Sequence, residues 1–299
     1  MATVVSSASG ALFMELDGVA AGPLRSAQPA SVRVDMATLP AGREMVVRRS
    51  AQVALGEMAA EFDLLEPGPL VDWLGGALAG NLAPHDGALL VGDVNHNVRR
   101  RIGFRGAWLT GLAWPVLDAT AGRRAVSLTL RWLAEGVDDA PASGKLKATV
   151  SRRRPLMASN FRLTGLPFGD DAVTAVELPT LQMQWAQDRF NGGSGRHRGP
   201  QLVQRQLGEL VVTITARRVE AARAWVHKLV ADGSVDERDG LALQVDLLDA
   251  ALKKTMASVQ LTGCLLCGMD EEPLGAAAAD RIATLTLRFD VGSMKLHLA

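Results

Sequence analysis

Apolar and polar residues alternate strictly in two segments that lie far apart in the chain. Residues 127–132 read Ser-Leu-Thr-Leu-Arg-Trp, and residues 284–289, 157 positions later, read Thr-Leu-Thr-Leu-Arg-Phe. A period of two places every second side chain on one face of a strand, so each segment predicts a β-strand with one buried face. The recurrence suggests that the two halves of the chain contain matching strands.

Shorter matches keep the same order along the chain, and their separation only grows. Residues 16–19 match 163–166 at a separation of 147, residues 55–58 match 207–210 at 152, Trp73 matches Trp225 at 152, and Gly106 matches Gly263 at 157. A long repeat of this kind indicates two copies of one domain, because solenoids repeat over about 20 to 50 residues. We expect one domain at 1–140, a linker at 141–153 and a second domain at 154–299, with a small and polar seam at 138–144.

An apolar stripe at helical spacing predicts one helix in each half. The positions follow the i, i+3, i+4, i+7, i+8 pattern of a helix with one buried face. They are Leu70, Trp73, Leu74, Ala77 and Leu78 in the first half, and Ala222, Trp225, Val226, Leu229 and Val230 in the second. The tryptophan of each stripe is the expected anchor onto a sheet.

Extended segments surround each predicted helix. Opening strands at 12–19 and 159–166 are expected to lead into turns at Asp17-Gly18 and Thr164-Gly165, with further extended segments near 30–37 and 174–183. After the helices, turns at Asp86-Gly87 and Asp239-Gly240 precede segments at 88–94, 101–112 and 124–133, or 241–247, 256–269 and 281–290. The predicted fold is mainly β: two tandem antiparallel β-sandwich or barrel domains, each with one packed α-helix.

Composition describes a folded chain with no net electrostatic bias. Of 299 residues, 48% are hydrophobic and 21% charged, and 32 basic residues balance 32 acidic ones. This balance provides no overall field to attract nucleic acid or an anionic membrane. No apolar run approaches the roughly 20 residues of a membrane helix, and the first seven residues lack the features of a signal peptide, so we expect synthesis and assembly in the cytoplasm.

No residue pattern indicates an enzyme. Cys264 and Cys267 form a lone Cys-x-x-Cys, half of the ligands that a zinc site needs, and positions three apart in a strand face opposite sides. Histidines 85, 96, 197, 227 and 297 are scattered, with no ligand or triad spacing. His85 is expected to lie in a loop, and His96 aligns with Asp249 of the second half. We therefore predict no catalytic, cofactor-binding or metal-binding residues and no cofactor. Basic residues are densest at 99–101 and 152–154. We interpret these runs as solvated strand ends in preference to a positively charged rim that contacts a neighbouring subunit or nucleic acid.

Several segments, taken in order, resemble the tail tube protein family of contractile phages and contractile injection systems, here in a tandem form. In the first half they are residues 13–19, 70–74, 102–114, 115–119 and 127–135; the second half keeps Trp225, Pro273-Leu274 and 284–289 but lacks the Leu-Asp-Ala turn of 117–119. The resemblance implies a structural subunit whose stacked rings surround a channel for DNA or an effector protein. It implies further copies of this chain and sheath, baseplate and terminator proteins as partners, no membrane, and a place in a virion or injection particle.

Two questions stay open at the level of sequence. Three chains could make one ring of six domains, or six chains could make two stacked layers. The subunit could belong to the main tube, or act as an initiator or adaptor between baseplate and tube. A β-sandwich module that binds a carbohydrate or another surface ligand is the alternative of a different class, and it predicts exposed aromatic residues.

Overall fold

The computed structural model describes residues 11–40, 46–64, 67–93, 95–145, 155–186, 200–232, 240–271 and 284–299. The N-terminal half (11–145) contains β1 Ala11–Leu16, β2 Val19–Pro23, β3 Ser26–Gln28, β4 Val32–Pro40, β5 Val46–Leu55, β6 Met58–Asp63, α1 Pro69–Leu78, β7 His85–Gly92, β8 Val98–Ala113, β9 Leu117–Asp118 and β10 Ser127–Pro141. The C-terminal half (155–299) contains β11 Phe161–Thr164, β12 Val173–Glu177, β13 Leu181–Trp185, β14 Leu202–Leu207, β15 Leu210–Thr215, α2 Ala216–Asp232, β16 Leu241–Leu248, β17 Thr255–Glu271 and β18 Thr284–Leu298.

The main sheets of the two halves share one strand order. The first runs β2-β1-β7-β8-β10-β6-β3 and the second β11-β16-β17-β18-β15-β12-β9, with antiparallel pairing throughout. Without β2 and β9, six strands correspond one to one, from β1 with β11 to β3 with β12. The predicted fold class, mainly β with antiparallel sheets and one helix in each half, is confirmed.

Strand register agrees as closely as strand order. Trp132 lies opposite Met58 in the pairing of β10 with β6, and Phe289 lies opposite Leu210 in the pairing of β18 with β15. The sequence separations of 157 and 152 therefore connect residues in equivalent places. The inward side chains of these strands are buried because alternation directs every second residue to the core.

The long central strands β8 and β17 also carry the same irregularities. Each contains a glycine in a left-handed conformation, Gly106 with φ 56° and Gly263 with φ 64°. Each is bulged at one residue, Thr110 or Cys267, which is skipped in the pairing with β10 or β18. Since a bulge bends its strand, the two sheets bend at equivalent points.

Aromatic residues fill the space between helix and sheet in the N-terminal half. Trp132 is fully buried, with ring centroids 5.4 Å from Phe104 and 5.9 Å from Trp73. Helix α1 begins at Pro69, a residue suited to a first turn, and buries all five positions of its predicted stripe. Trp73 is therefore the anchor that the stripe predicted.

Helix α2 follows its prediction over only part of its length. Ala222 and Val226 are buried and Trp225 is half-buried, with its ring centroid 5.7 Å from Phe168. Val230 is 73% exposed, so its assignment to the buried stripe is wrong. With 17 residues against 10 in α1, the second helix extends a turn past the residues that pack on the sheet.

The opening strands do not correspond as the sequence match suggested. Met14 lies opposite Leu89 and Leu163 lies opposite Val245, so Leu163 matches Met14, at a separation of 149, and not Leu16. The local similarity misleads because the two turns differ. In the first half, β1 and β2 form a hairpin. In the second half, the turn after β11 is held by a hydrogen bond of 2.8 Å that the N–H of Leu166 donates to the Asp170 carboxylate.

Two predicted breaks in the chain are also wrong. Asp86-Gly87 lies inside β7, where a Cβ at Gly87 would be 2.3 Å from the Glu15 carbonyl, so this glycine serves close packing. The first residues of the seam, 138–141, continue β10, with Asp138 opposite Gly103. Polar composition suggested a linker, but pairing with β8 keeps these residues extended. Most of the predicted linker (146–153) and Asp239 of the second predicted turn lie outside the described residues.

Candidate assembly interface

One hairpin leaves its own half and joins the other sheet. Strand β13 pairs with β14 and also with β8, with Leu181 opposite Leu112 and Gln182 opposite Gly111. This edge of β8 is available because the pairing of β8 with β7 ends at Ala107. The β13–β14 hairpin thus extends the N-terminal sheet beyond the end of β7.

Trp185 fixes the hairpin on that sheet. Its indole Nε1 donates a hydrogen bond of 2.8 Å to the Leu109 carbonyl, and its ring centroid is 4.9 Å from that of Trp108. Trp185 is 7% exposed, and Leu181 and Met183 on the same face are 1% and 3% exposed. Aromatic pairing and apolar burial therefore act together at this contact.

A second hydrogen bond ties the hairpin to a helix of the N-terminal half. The Arg205 guanidinium donates to the Leu78 carbonyl at the end of α1, at 2.7 Å. Carbonyls in the last turn of a helix lack partners within the helix and carry a partial negative charge. Arg205 satisfies one of them and complements that charge.

The exchange runs in both directions. Strand β9 comes from the N-terminal half but pairs with β12 of the C-terminal sheet, with Leu117 opposite Val176. Leu117 and Val176 are fully buried. We call these two crossings, β13 on β8 and β9 on β12, the interlock.

Sequence reasoning missed the interlock. A signal was present in 181–185, where Leu181, Met183 and Trp185 alternate with two glutamines. This pattern predicts a half-buried strand but does not identify the strand that covers it. From its place in the chain, the sequence predicts that this segment joins the sheet of its own half, and that prediction is wrong for 181–182, which pair with β8.

The two cysteines lie on opposite sides of β17, as their spacing predicted. Cys264 is buried, and burial raises the pKa of its thiol to about 11. Cys267 is exposed; partial burial and the nearby Glu209 carboxylate raise the pKa of its thiol. Among the described residues, no three His, Cys, Asp or Glu side chains are grouped as a metal site would require.

We expect iodoacetamide to modify Cys267 in the folded protein and to leave Cys264 unmodified. The thiolate is the reactive form, so modification of Cys267 accelerates as pH rises toward its raised pKa. Peptide mass spectrometry after timed alkylation at pH 7 and pH 9 measures both sites. Equal labelling of both cysteines in the folded protein would contradict the placement of Cys264 in the core.

Each arginine of the first basic run has an acidic partner within its own chain. The distances to carboxylate oxygens are 2.8 Å from Arg99 to Asp93, 2.5 Å from Arg100 to Asp139 and 4.0 Å from Arg101 to Glu15. These exposed pairs agree with the interpretation as a solvated strand end. The second run, 152–154, lies outside the described residues.

The turn after β7 places His96 differently from the sequence alignment. His96 has φ 59° and Leu252 has φ 57°, each following an aspartate three residues earlier, so His96 matches Leu252 and not Asp249. The N–H of Asn97 and neighbouring donors lower the pKa of Asp93 to about 2. The N–H groups of Lys253 and Lys254 likewise lower the pKa of Asp249. The two halves therefore share this capped turn.

The predicted loop at His85 is wrong: His85 begins β7, where its Nδ1 lies 2.6 Å from the Asp17 carboxylate. His197 lies outside the described residues.

Every described tryptophan is buried or half-buried, so none provides the exposed aromatic surface that the carbohydrate-binding alternative predicts. No helix among the described residues is long and apolar enough to cross a membrane.

No protein-family profile and no curated protein matches the sequence. Solved structures similar to about half of the chain are components of contractile injection systems. The anti-feeding prophage baseplate, six-fold symmetrised, aligns at 13% identity over 47% of this chain and 97% of its own, with a TM-score of 0.38. The tube-terminating cap of that prophage aligns at 13% identity over 52% of this chain and all of its own, with a TM-score of 0.39. The sheath–tube complex of an extracellular contractile injection system gives 10% identity, 52% and 100% coverage and a TM-score of 0.37.

Proposed function

We propose that this chain is a structural subunit of the tube of a phage tail or contractile injection system. The observation that carries the proposal is the interlock, because it joins two sheets of the same strand order and register within one chain. A surface that joins one domain to a similar one head to tail can join further domains in the same way, and such contacts generate rings or filaments.

The proposed domains are 1–140 and 154–299, two copies of one ancestral domain joined at 141–153. On this account the chain is a fused pair of ring subunits. Three chains would supply six domains and make a ring with three-fold symmetry and approximate six-fold symmetry. We favour this over two stacked layers because the interlock is built by strand pairing along sheet edges.

The proposed partners follow from such a ring. Stacked rings would enclose a channel for DNA or an effector protein, and sheath, baseplate and terminator proteins would contact the tube. In this account the protein does no catalysis and binds no cofactor, and it is assembled in the bacterial cytoplasm before it becomes part of the particle.

A tube initiator or adaptor is the second candidate. The halves are not interchangeable: β2 has no counterpart strand among the described residues of the C-terminal half, and α2 is longer than α1. A ring of alternating, similar domains presents both three-fold and six-fold features, which suits a junction between parts of different symmetry.

Electron microscopy of the purified protein tests the proposal. We expect rings or short tubes, formed by the chain alone or after addition of partner tail proteins. A protein that stays strictly monomeric at high concentration, also with those partners present, would contradict it.

A further inference from the structure

The β4–β5 hairpin matches the β13–β14 hairpin residue by residue. Val32 lies opposite Leu55 and Leu181 opposite Leu207, and both registers slip one residue before the fifth pair, after Asp35 and after Gln184. The following glycines make the same contact: Gly56 N–H to the Ser31 carbonyl and Gly208 N–H to the Thr180 carbonyl, both 2.7 Å. Residues 32–36 therefore correspond to 181–185.

The matched hairpins differ in what covers them. Leu181 and Met183 are 1% and 3% exposed against β8, whereas their counterparts Val32 and Val34 are 66% and 45% exposed. Among the described strands, β4 and β5 pair only with each other. Apolar side chains that alternate along a strand, as these do, are typical of a surface that a partner covers.

The edge that would receive this hairpin is open on β17. Residues 266–271 of β17 correspond to the end of β8 that the hairpin covers. The pairing of β17 with β16 ends at Cys264, opposite Leu241. Beyond that point, residues 266–271 pair with β18 alone among the described strands. Met269 and Leu266 are half-buried there, while their counterparts Leu112 and Leu109 are 2% and 3% exposed beneath the hairpin.

A glycine at the same place in both strands leaves room for the incoming backbone. A Cβ on Gly111 would lie 3.3 Å from the Leu181 carbonyl, closer than ordinary contact. The atoms nearest to a Cβ on Gly268, its counterpart, would be those of the Arg288 side chain, at 3.5 Å or more. Among the described residues, the space above Gly268 is therefore open, and it corresponds in position to the space that the β13 backbone occupies above Gly111.

We propose that β4 of one chain pairs with the free edge of β17 in a second copy of this chain. Val32 would lie opposite Met269 and Arg33 opposite Gly268, and the next pair in this register brings Val34 beside Cys267. The carboxylates at this edge already have partners in their own chain, Asp270 with Arg288 at 2.7 Å and Glu271 with Arg223 at 2.9 Å, so the pairing rests on the matched backbone and the exposed apolar face of β4. Each chain offers one hairpin and one edge, so the contact repeats head to tail. It extends the proposed ring function and rests on it.

A cross-link between Val34→Cys and the native Cys267 tests the pairing. We expect a short bismaleimide to convert this variant into covalent dimers and larger species with a 34–267 linkage in peptide mass spectrometry. Cys264 is buried and does not compete. The control is Val19→Cys, which places a thiol at a 55% exposed valine on β2 and is expected to give no such ladder. Adding Cys267→Ser to Val34→Cys should abolish the product.

Gly268→Val supplies a second test that does not depend on thiol chemistry. The isolated chain has room for the new side chain, so its unfolding midpoint should stay near that of wild type, while association weakens about ten-fold or more. Such a change equals about 1.4 kcal/mol, within the usual range for overpacking. The matched variant Gly111→Val should instead lower the unfolding midpoint, because the same clash then lies inside the chain.

The outcomes separate this proposal from the ring function. Rings that form without the 34–267 linkage and withstand Gly268→Val would overturn the pairing and leave the ring function standing. A 34–267 linkage confined to monomer-sized product would also overturn it, because the hairpin would then fold onto its own chain. Absence of any assembly by the wild-type protein would contradict the ring function itself.

Discussion

Trp185→Ala is expected to lower the free energy of unfolding by about 3–5 kcal/mol, the usual cost of removing a large buried aromatic side chain. The variant loses the ring contact with Trp108, the hydrogen bond to the Leu109 carbonyl and the cover over β8. Urea unfolding followed by circular dichroism measures the loss. Because the hairpin bridges both halves, we also expect the unfolding transition to broaden or separate into two steps.

Trp185→Phe is the matched control. It keeps most of the apolar surface and removes the indole N–H, so its cost should be about 1 kcal/mol, that of one hydrogen bond, with a further small cost of imperfect packing. A Trp185→Ala variant as stable as wild type would show that the hairpin does not hold the halves together.

Trp132→Ala is expected to be as costly, about 3–5 kcal/mol. Trp132 is fully buried between Phe104 and Trp73, where neighbouring side chains on strand and helix cannot close the space that alanine would leave. Thermal unfolding of the variant and the wild type, followed by far-ultraviolet circular dichroism, measures the loss of stability; a variant as stable as wild type would contradict the placement of Trp132 in the core.

Trp132→Phe should cost much less. Phe289 fills the corresponding position in the C-terminal half, and the Nε1 of Trp132 is buried with no hydrogen-bond partner among the described residues. Phenylalanine removes that unsatisfied donor and leaves a smaller cavity, so we expect a loss below about 1.5 kcal/mol. If phenylalanine proved as damaging as alanine, the two positions would not be equivalent.

Periodicity in the sequence predicted the elements whose burial depends on local pattern. The alternation in 127–132 and 284–289 located the final strands, and their separation of 157 residues agrees with the observed register of Trp132 and Phe289. The stripe that contains Trp73 located α1. These features could be predicted because a strand or helix that covers a core shows its buried face in its own sequence.

Features decided by distant partners could not be predicted in this way. The pattern of Leu181, Met183 and Trp185 is the same whether the hairpin joins its own sheet or the other one. Similarly, Asp138 is polar enough for a linker, yet pairing with Gly103 keeps it in a strand. The candidate interface depends on which strands pair across the two halves, and the local sequence pattern does not contain that information.

The rotational symmetry of the assembled ring tests the central claim most directly. Cryo-electron microscopy of the purified assembly should show three chains in a ring with six similar domains. Within each chain β13 should lie on β8, and between chains β4 should lie on β17 at the equivalent place. A ring of six chains, with the two halves in separate stacked layers, would contradict the account.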